Sequence, residues 1–165
     1  MSEVRRIGQL LKHGYDGQPW YGKALRKLLA EVTVEQAAAR PIAGAHSIWQ
    51  QVLHAIAWRQ VACRLLRGET VGELSDAQNW PEPPGSDAAG CDAPDSHAAA
   101  WQQTLDELAQ TQYDLEAALE GLTDERLQEE VSYVKPFPLY RLLHGIIHHD
   151  AYHAGQIALL RNAGR

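Results

Sequence analysis

The chain has 165 residues, of which 45% are hydrophobic and 22% charged, which fits one globular domain spanning 1–165. Its net charge of −6 gives no basic surface of the kind that binds nucleic acid or an anionic membrane. The apolar runs are too short to span a bilayer, and the N-terminus lacks the apolar region of a signal peptide. The two cysteines, Cys63 and Cys91, do not make a disulfide framework, so we expect a cytoplasmic protein with reduced thiols.

The first 44 residues predict short helical pieces. Apolar residues at helical spacing indicate a helix over Glu3 to His13, and residues 14–18 interrupt it. Pro19 suits the first turn of a further piece. The apolar stripe of that piece contains Trp20, Ala24, Leu25, Leu28 and Leu29. The two pieces are either one broken helix or two helices. A connection with a short turn at 34–39 follows.

The second long helix begins near His46 or Ser47, runs to about Arg67 and ends at Gly68. Its inward stripe is polar in the first half and apolar in the second, with His54 at the transition. This pattern suits a pocket wall near one end of a helical bundle. Its members are Ser47, Gln51, His54, Ala57, Trp58, Val61 and Leu65.

A long irregular segment covers residues 68 to 95 and is rich in Gly, Pro, Asp and Ser. Segments of this length are usually functional or disordered. One interpretation is a solvated linker between helices. The other is a partial lid, with Trp80 packed near a site.

The remaining chain predicts two further long helices. The third runs from about Ser96 to Glu120, and a short helix follows Thr123. Residues 133–138 are extended, and the fourth long helix carries four histidines. The sequence therefore predicts an all-α protein: a four-helix bundle with a short extra helix and a long loop between helices two and three, most simply antiparallel.

Two histidines of the last helix share its inward face. His149 and His153 are four residues apart, so their Cβ atoms lie about 5–6 Å apart and both rings can reach one metal ion. His144 and His148 have the same spacing but lie on the side or back of the helix. The alternative is that the inward histidines are satisfied by hydrogen bonds alone.

His54 is the natural third ligand, because metal sites in bundles are built from inward side chains on facing helices. Three imidazoles suit Zn²⁺ or Ni²⁺ and leave a position for water or substrate, as catalytic sites do. Asp150 stands where a zincin would have Glu, but it is one methylene shorter. We expect Asp150 to orient a ring or pair with a cation, and we assign it no catalytic role. His46 is expected to cap its helix or be exposed.

Three segments together resemble the DinB/YfiT-like superfamily, and the resemblance covers nearly the whole chain. They are Asp16–Trp20, His46–His54 and His149–Ile157. The resemblance implies a four-helix bundle with nickel or zinc on His54, His149 and His153, and commonly a homodimer. Its known members include S-transferases and isomerases that use low-molecular-weight thiols, and others described as metal-dependent hydrolases.

The expected function is a metal-dependent enzyme in which the metal activates a thiol or water for attack on a small electrophile. Gln156 and Tyr152 are candidate substrate contacts, the catalytic residues are unassigned, and no cofactor besides the metal is expected. The partners are then a small-molecule substrate and a low-molecular-weight thiol, with no nucleic acid and no membrane. The alternatives are a non-catalytic metal- or ligand-binding module in a stress response, and histidines that only stabilise the bundle.

Overall fold

The computed structural model describes residues 1–85 and 94–164, and these contain seven α-helices. The helices are α1 (Glu3–Asp16), α2 (Leu25–Leu29), α3 (Val34–Ala38), α4 (Ile48–Leu66), α5 (Asp76–Asn79), α6 (Pro94–Leu119) and α7 (Leu139–Ala163). A 3₁₀ turn at Glu125–Gln128 and a two-stranded antiparallel ribbon, β1 (Glu130–Val131) with β2 (Phe137–Pro138), lie before α7.

The four long helices α1, α4, α6 and α7 pack together as a bundle. α4 contacts both α6 and α7, and α1 closes the bundle against the same two helices. The all-α prediction is confirmed. No helix among the described residues has the length and apolar character needed to cross a membrane.

The ends of α4 follow the predicted signals. The Ser47 hydroxyl accepts a hydrogen bond from Gln50 N, and the Gln50 side chain accepts one from Ser47 N, which makes a capping box. At the other end Gly68 has a φ of +81°, a conformation that glycine adopts without a Cβ clash.

The N-terminal pieces are two separate helices, and both predicted bounds need correction. α1 continues through Gly14 to Asp16, because the buried Tyr15 adds another turn to its apolar face. The second piece is helical only over Leu25–Leu29, and Trp20 lies outside it with its side chain fully exposed (101%). The short turn expected at 34–39 is α3, capped by Thr33.

Three smaller features also refine the prediction. The short helix after Thr123 is a 3₁₀ turn, and only the end of the extended stretch, Phe137–Pro138, pairs as a strand. The 68–95 segment contains α5, whose N-cap is Ser75. Cys63 is a buried free thiol, whereas Cys91 lies outside the described residues.

Two apolar clusters form the core and share α4 and α7. One contains Val61–Cys63 of α4 and Leu142, Leu143 and Ile146 of α7. The other contains five apolar residues of α4 between Ile48 and Ile56, together with Ala154, Ile157 and Leu160 of α7. Between the clusters, at matching levels of the two helices, lie buried polar side chains, which are His54, Arg59, Asp150 and His153. The bundle thus has a polar layer between two apolar ones.

Candidate metal centre

Three histidines converge at this polar layer. His54 comes from α4, and His149 and His153 come from successive turns of α7. The Nε2 atom of His149 lies 2.9 Å from Nε2 of His54 and 3.0 Å from Nε2 of His153. One ligand atom from each of the three rings fits within a span of 4.8 Å, so the group could hold a metal ion.

Hydrogen bonds on the far side of two rings fix where their protons lie. Nδ1 of His54 is 2.6 Å from the backbone oxygen of Asn79, which can only accept. Nδ1 of His153 faces the side-chain amide oxygens of Gln51 and Gln156, at 2.5 and 3.0 Å. Both rings therefore carry their proton on Nδ1 and turn an Nε2 lone pair toward His149. Metal-binding histidines are commonly oriented in this way.

The three convergent nitrogens cannot all be satisfied by hydrogen bonds to one another. His149 Nε2 carries at most one proton, which can point at only one of the two neighbouring lone pairs. At least one close pair of nitrogens then has no proton between them. Two nitrogens that each lie about 2.0–2.1 Å from one ion are about 2.9–3.4 Å apart at angles of about 90–110°. The observed spacings of 2.9 and 3.0 Å fall in that range, so the residues present fit a bound cation.

Burial keeps the three rings neutral. It lowers the pKa of His149 to about 3, with the His153 and His54 rings adding to the effect. Burial and the neighbouring His54 lower the pKa of His153 to about 4. The pKa of His54 is also lowered, mainly by burial. Near pH 7 the three rings are unprotonated at Nε2 or share one proton there, which is the state that binds a metal.

The segment after α5 covers the cluster. Trp80 lies between His46 and His54, with ring centroids 3.7 and 3.9 Å away and planes within 5° and 8° of parallel. Asn79 accepts hydrogen bonds from His54 through its backbone oxygen and from Trp58 Nε1 through its side chain. Residues 75–82 therefore fit the interpretation of the long segment as a partial lid and not as a solvated linker.

Two cavities adjoin the cluster on different sides. The first, about 380 Å³, has a mixed lining, with polar residues and rings on one part and aliphatic side chains on the other: His46, Gln51, His153, Gln156, Trp80 and Tyr152, and Ile42, Ala45, Leu159 and Leu160. The second, about 270 Å³, is mostly apolar and reaches His149 beside Trp58. His153 lines the first cavity and His149 lines the second, and their Nε2 atoms are 3.0 Å apart, so both cavities border the histidine cluster.

Asp150 pairs with a cation, which is one of the two roles that the sequence led us to expect. Its Oδ2 accepts a hydrogen bond from Arg59 of α4 at 2.8 Å, and both side chains are almost fully buried, at 0% and 4% exposure. Burial raises the pKa of Asp150, while the Arg59 charge opposes that shift. The guanidinium also lies over the Tyr15 ring, 5.8 Å from its centroid.

The structure brings together all three histidines that the sequence singled out, and it adds residues that the sequence did not. Gln51 and Asn79 orient two of the rings, and His46 stacks on Trp80 instead of capping a helix or standing exposed. The sequence does contain a signal for the two glutamines. Gln51 lies three positions before His54 and Gln156 three positions after His153, each on the same helix face as its histidine. No comparable signal marks Asn79, because its contact depends on the path of a loop.

The family model described as the DinB superfamily matches residues 21–157, more than four-fifths of the chain. The chain belongs to the DinB superfamily. The matched region holds the three histidines and the Trp80 lid, whereas α1 and the Asp16–Trp20 segment precede it. The resemblance inferred from the motifs is confirmed.

Two crystal structures share the DinB fold of this chain. One is a DinB-like protein from Bacillus cereus ATCC 10987, with a TM-score of 0.66 and 18% identity over 98% of this chain and 91% of that chain. The other is a conserved protein from Enterococcus faecalis, with a TM-score of 0.67 and 19% identity over 99% of this chain and 97% of that chain. These TM-scores show that the fold is shared. No curated protein matches the chain.

Proposed function

We propose that this DinB protein is a metal-dependent enzyme that transfers a low-molecular-weight thiol to a small electrophile, with hydrolysis as the related reaction of the same site. The observation that carries the proposal is the convergence of three Nε2 atoms, two of which have their lone pairs directed inward by hydrogen bonds at Nδ1. His54, His149 and His153 would hold the ion, and an all-imidazole donor set suits Zn²⁺ or Ni²⁺.

The bound ion would supply Lewis acidity, which favours the deprotonated form of a thiol or water near neutral pH. The protein's own residues would supply position and exclusion of water. Asn79 and Gln51 hold the His54 and His153 rings at fixed angles. The Trp80 indole covers one face of His54, which limits the access of bulk water to the three nitrogens.

The two cavities favour thiol transfer over hydrolysis. A transferase must place two organic molecules at one reaction centre, whereas a hydrolase needs room for one and a water. Here a cavity with a mixed lining and a mostly apolar cavity border the cluster, the first at His153 and the second at His149. Low-molecular-weight thiols are polar molecules, so the cavity with His46, Gln51 and Gln156 suits the thiol. Tyr152 lines the same cavity.

A non-catalytic metal- or ligand-binding module is the second candidate, and the Trp80 stack over His54 is the observation that favours it. A covered cluster would retain a metal without exchanging ligands. The two candidates differ in one measurable respect, because only the enzyme turns over a thiol or an ester in the presence of metal.

The first test is elemental analysis of the tag-free wild type and of His54→Ala. We expect about one Zn or Ni per chain in the wild type and its loss in the variant, because two remaining imidazoles bind far more weakly. His148→Ala is the matched control, since it removes an exposed histidine of the same helix and should leave the metal in place. Thiol consumption is then assayed with small electrophiles; metal without turnover would leave the binding module as the function.

We further propose a homodimer in the cytoplasm, where low-molecular-weight thiols stay reduced. The resemblance motivates the dimer, and exposed apolar side chains such as Trp20 and Leu159 are compatible with it. Light scattering of the purified chain would give its mass directly; a monomer at micromolar concentration would reject the dimer.

Replacing Trp80 with alanine should speed metal loss to an excess of chelator about twofold to tenfold. The change removes the stacking on His54, and stacked aromatic pairs contribute about 0.5–1.5 kcal/mol. Absorbance of a chromogenic chelator measures the rate. Trp20→Ala is the matched control, because that side chain is fully exposed and should have no effect. Equal rates in Trp80→Ala and the wild type would show that the indole does not retain the metal.

A further inference from the structure

The apolar cavity has a regular construction along one strip of α7. Arg141, Gly145 and His149 all line it, and they are spaced four residues apart, so each lies one turn from the next. The strip is about 12 Å long from Arg141 to His149. The strip begins at the cation Arg141, passes Gly145, which has no side chain, and ends at His149 of the three-histidine cluster.

The walls of this cavity are apolar. They are formed by the rings of Trp58 and Phe137 and by Leu142 and Ile146. A Cβ built on Gly145 meets nothing within 4 Å, so the glycine leaves open space in the middle of the strip. The volume of about 270 Å³ is that of a small ligand site with a predominantly apolar lining.

Arg141 is the one cationic group that lines this cavity. Among the described residues it has no hydrogen bond or ion pair, and its guanidinium lies over the Phe137 ring, 5.5 Å from the centroid. The adjoining shallow cavity adds one more cation, Lys135, and one acid, Glu73. Arg141 and Lys135 together outnumber Glu73, so this end of the cavity keeps a net positive charge beside its apolar walls.

We propose that this cavity binds the electrophilic substrate, and that the substrate is a small monocarboxylate with an apolar, preferably aromatic, body. The carboxylate lies on Arg141, the body lies over Gly145 between Trp58 and Phe137, and the reactive end faces His149. This inference rests on the proposed function, because it assigns the second reactant of the same reaction. The cavity with the mixed lining on the His153 side is left for the thiol.

The test is calorimetric titration of the purified metal-containing protein with 4-phenylbutyrate, a probe with this charge and a body that fits the strip. The expected dissociation constant is about 1 mM or below. The neutral 4-phenylbutanamide should bind about threefold to tenfold more weakly, because an exposed guanidinium contributes modestly to a charge pair. Arg141→Gln should reduce the affinity for the acid by the same factor and leave the amide unchanged.

Gly145→Leu should weaken both probes at least tenfold, since its side chain occupies the open middle of the strip. Gly155→Leu is the matched control: it is also an exposed glycine of α7 whose added Cβ meets nothing within 4 Å, and it lines a different cavity. Circular dichroism verifies that both variants are folded. Binding that survives Gly145→Leu, or that is equal for the acid and the amide, would overturn the proposal.

A carboxylate could also bind the metal itself, so the titration is repeated after removal of the metal. Retained, Arg141-dependent binding supports the proposed cavity. Binding that disappears with the metal and ignores Arg141→Gln would mean that the probe is a metal ligand, which overturns the proposal. Because elemental analysis tests the metal centre separately, a failed titration with metal present leaves the proposed function standing and rejects only this substrate class.

Discussion

Replacing Asp150 with alanine should lower the free energy of unfolding by about 3–5 kcal/mol, because it leaves the Arg59 charge buried without its partner. The pair is completely enclosed, and the guanidinium already has two nitrogens, Nε and Nη1, without a hydrogen-bond partner among the described residues. Asp150 Oδ2 is thus the acceptor on which Arg59 depends. A loss of this size is a large part of the about 5–15 kcal/mol that stabilises an ordinary domain.

Urea unfolding followed by circular dichroism in the presence of chelator measures this loss without any contribution from metal. Glu129→Ala is the matched control, since its ion pair with Arg126 has a similar length of 3.0 Å but is exposed, and it should cost less than about 1 kcal/mol. The double variant Arg59→Met with Asp150→Leu should recover most of the loss, because an apolar pair of similar volume needs no desolvation of charge. A loss below about 1 kcal/mol for Asp150→Ala would contradict the argument.

The same ion pair bears on the site, because Asp150 follows His149 on α7 and Arg59 lies beyond His54 on α4. The pair ties the two helices together at the level where their histidines meet. A polar layer between two apolar clusters also fixes the register of α4 against α7, since sliding either helix would bury an unpaired charge. The stability of the fold and the arrangement of the three histidines therefore both depend on this ion pair.

The three histidines could be found from the sequence because their placement is local. His149 and His153 share a helix face through their spacing of four, and His54 lies where the inward stripe of its helix changes from polar to apolar. The helix bounds of α4 followed from Ser47 and Gly68 for the same reason, since caps act within a few residues.

The sequence left the lid as one of two interpretations of the long segment, and it did not indicate the apolar cavity. Trp80 and Asn79 belong to a segment without periodicity, so nothing local shows that they reach His54. The pairing of Arg59 with Asp150 joins positions 91 residues apart and depends on how two helices pack. The prediction that Trp20 belongs to a buried stripe was wrong. Its helical spacing with Leu28 suggested that stripe, but the chain turns before Leu25 and leaves the indole in solvent.

Removing the metal should lower the unfolding temperature of the wild type by about 8–16 °C relative to protein held at about 1,000 times the dissociation constant of free Zn²⁺. Binding to the folded state alone contributes about 4 kcal/mol under these conditions. For a chain of this size each kcal/mol corresponds to about 2–4 °C. The physical source is the cluster itself, where three convergent nitrogens are left facing one another when no ion is present.

His149→Ala should abolish this difference, because His149 is the ring that contacts both of the others. His148→Ala should keep it, since that side chain is exposed on the neighbouring position of α7. Calorimetry of the wild type and both variants, each with Zn²⁺ and with chelator, gives the unfolding temperatures to compare. If the histidines only pack the core, His149→Ala would cost the same stability with metal and without it. Equal shifts in His149→Ala and the wild type would place the bound ion elsewhere and remove the basis of the proposed chemistry.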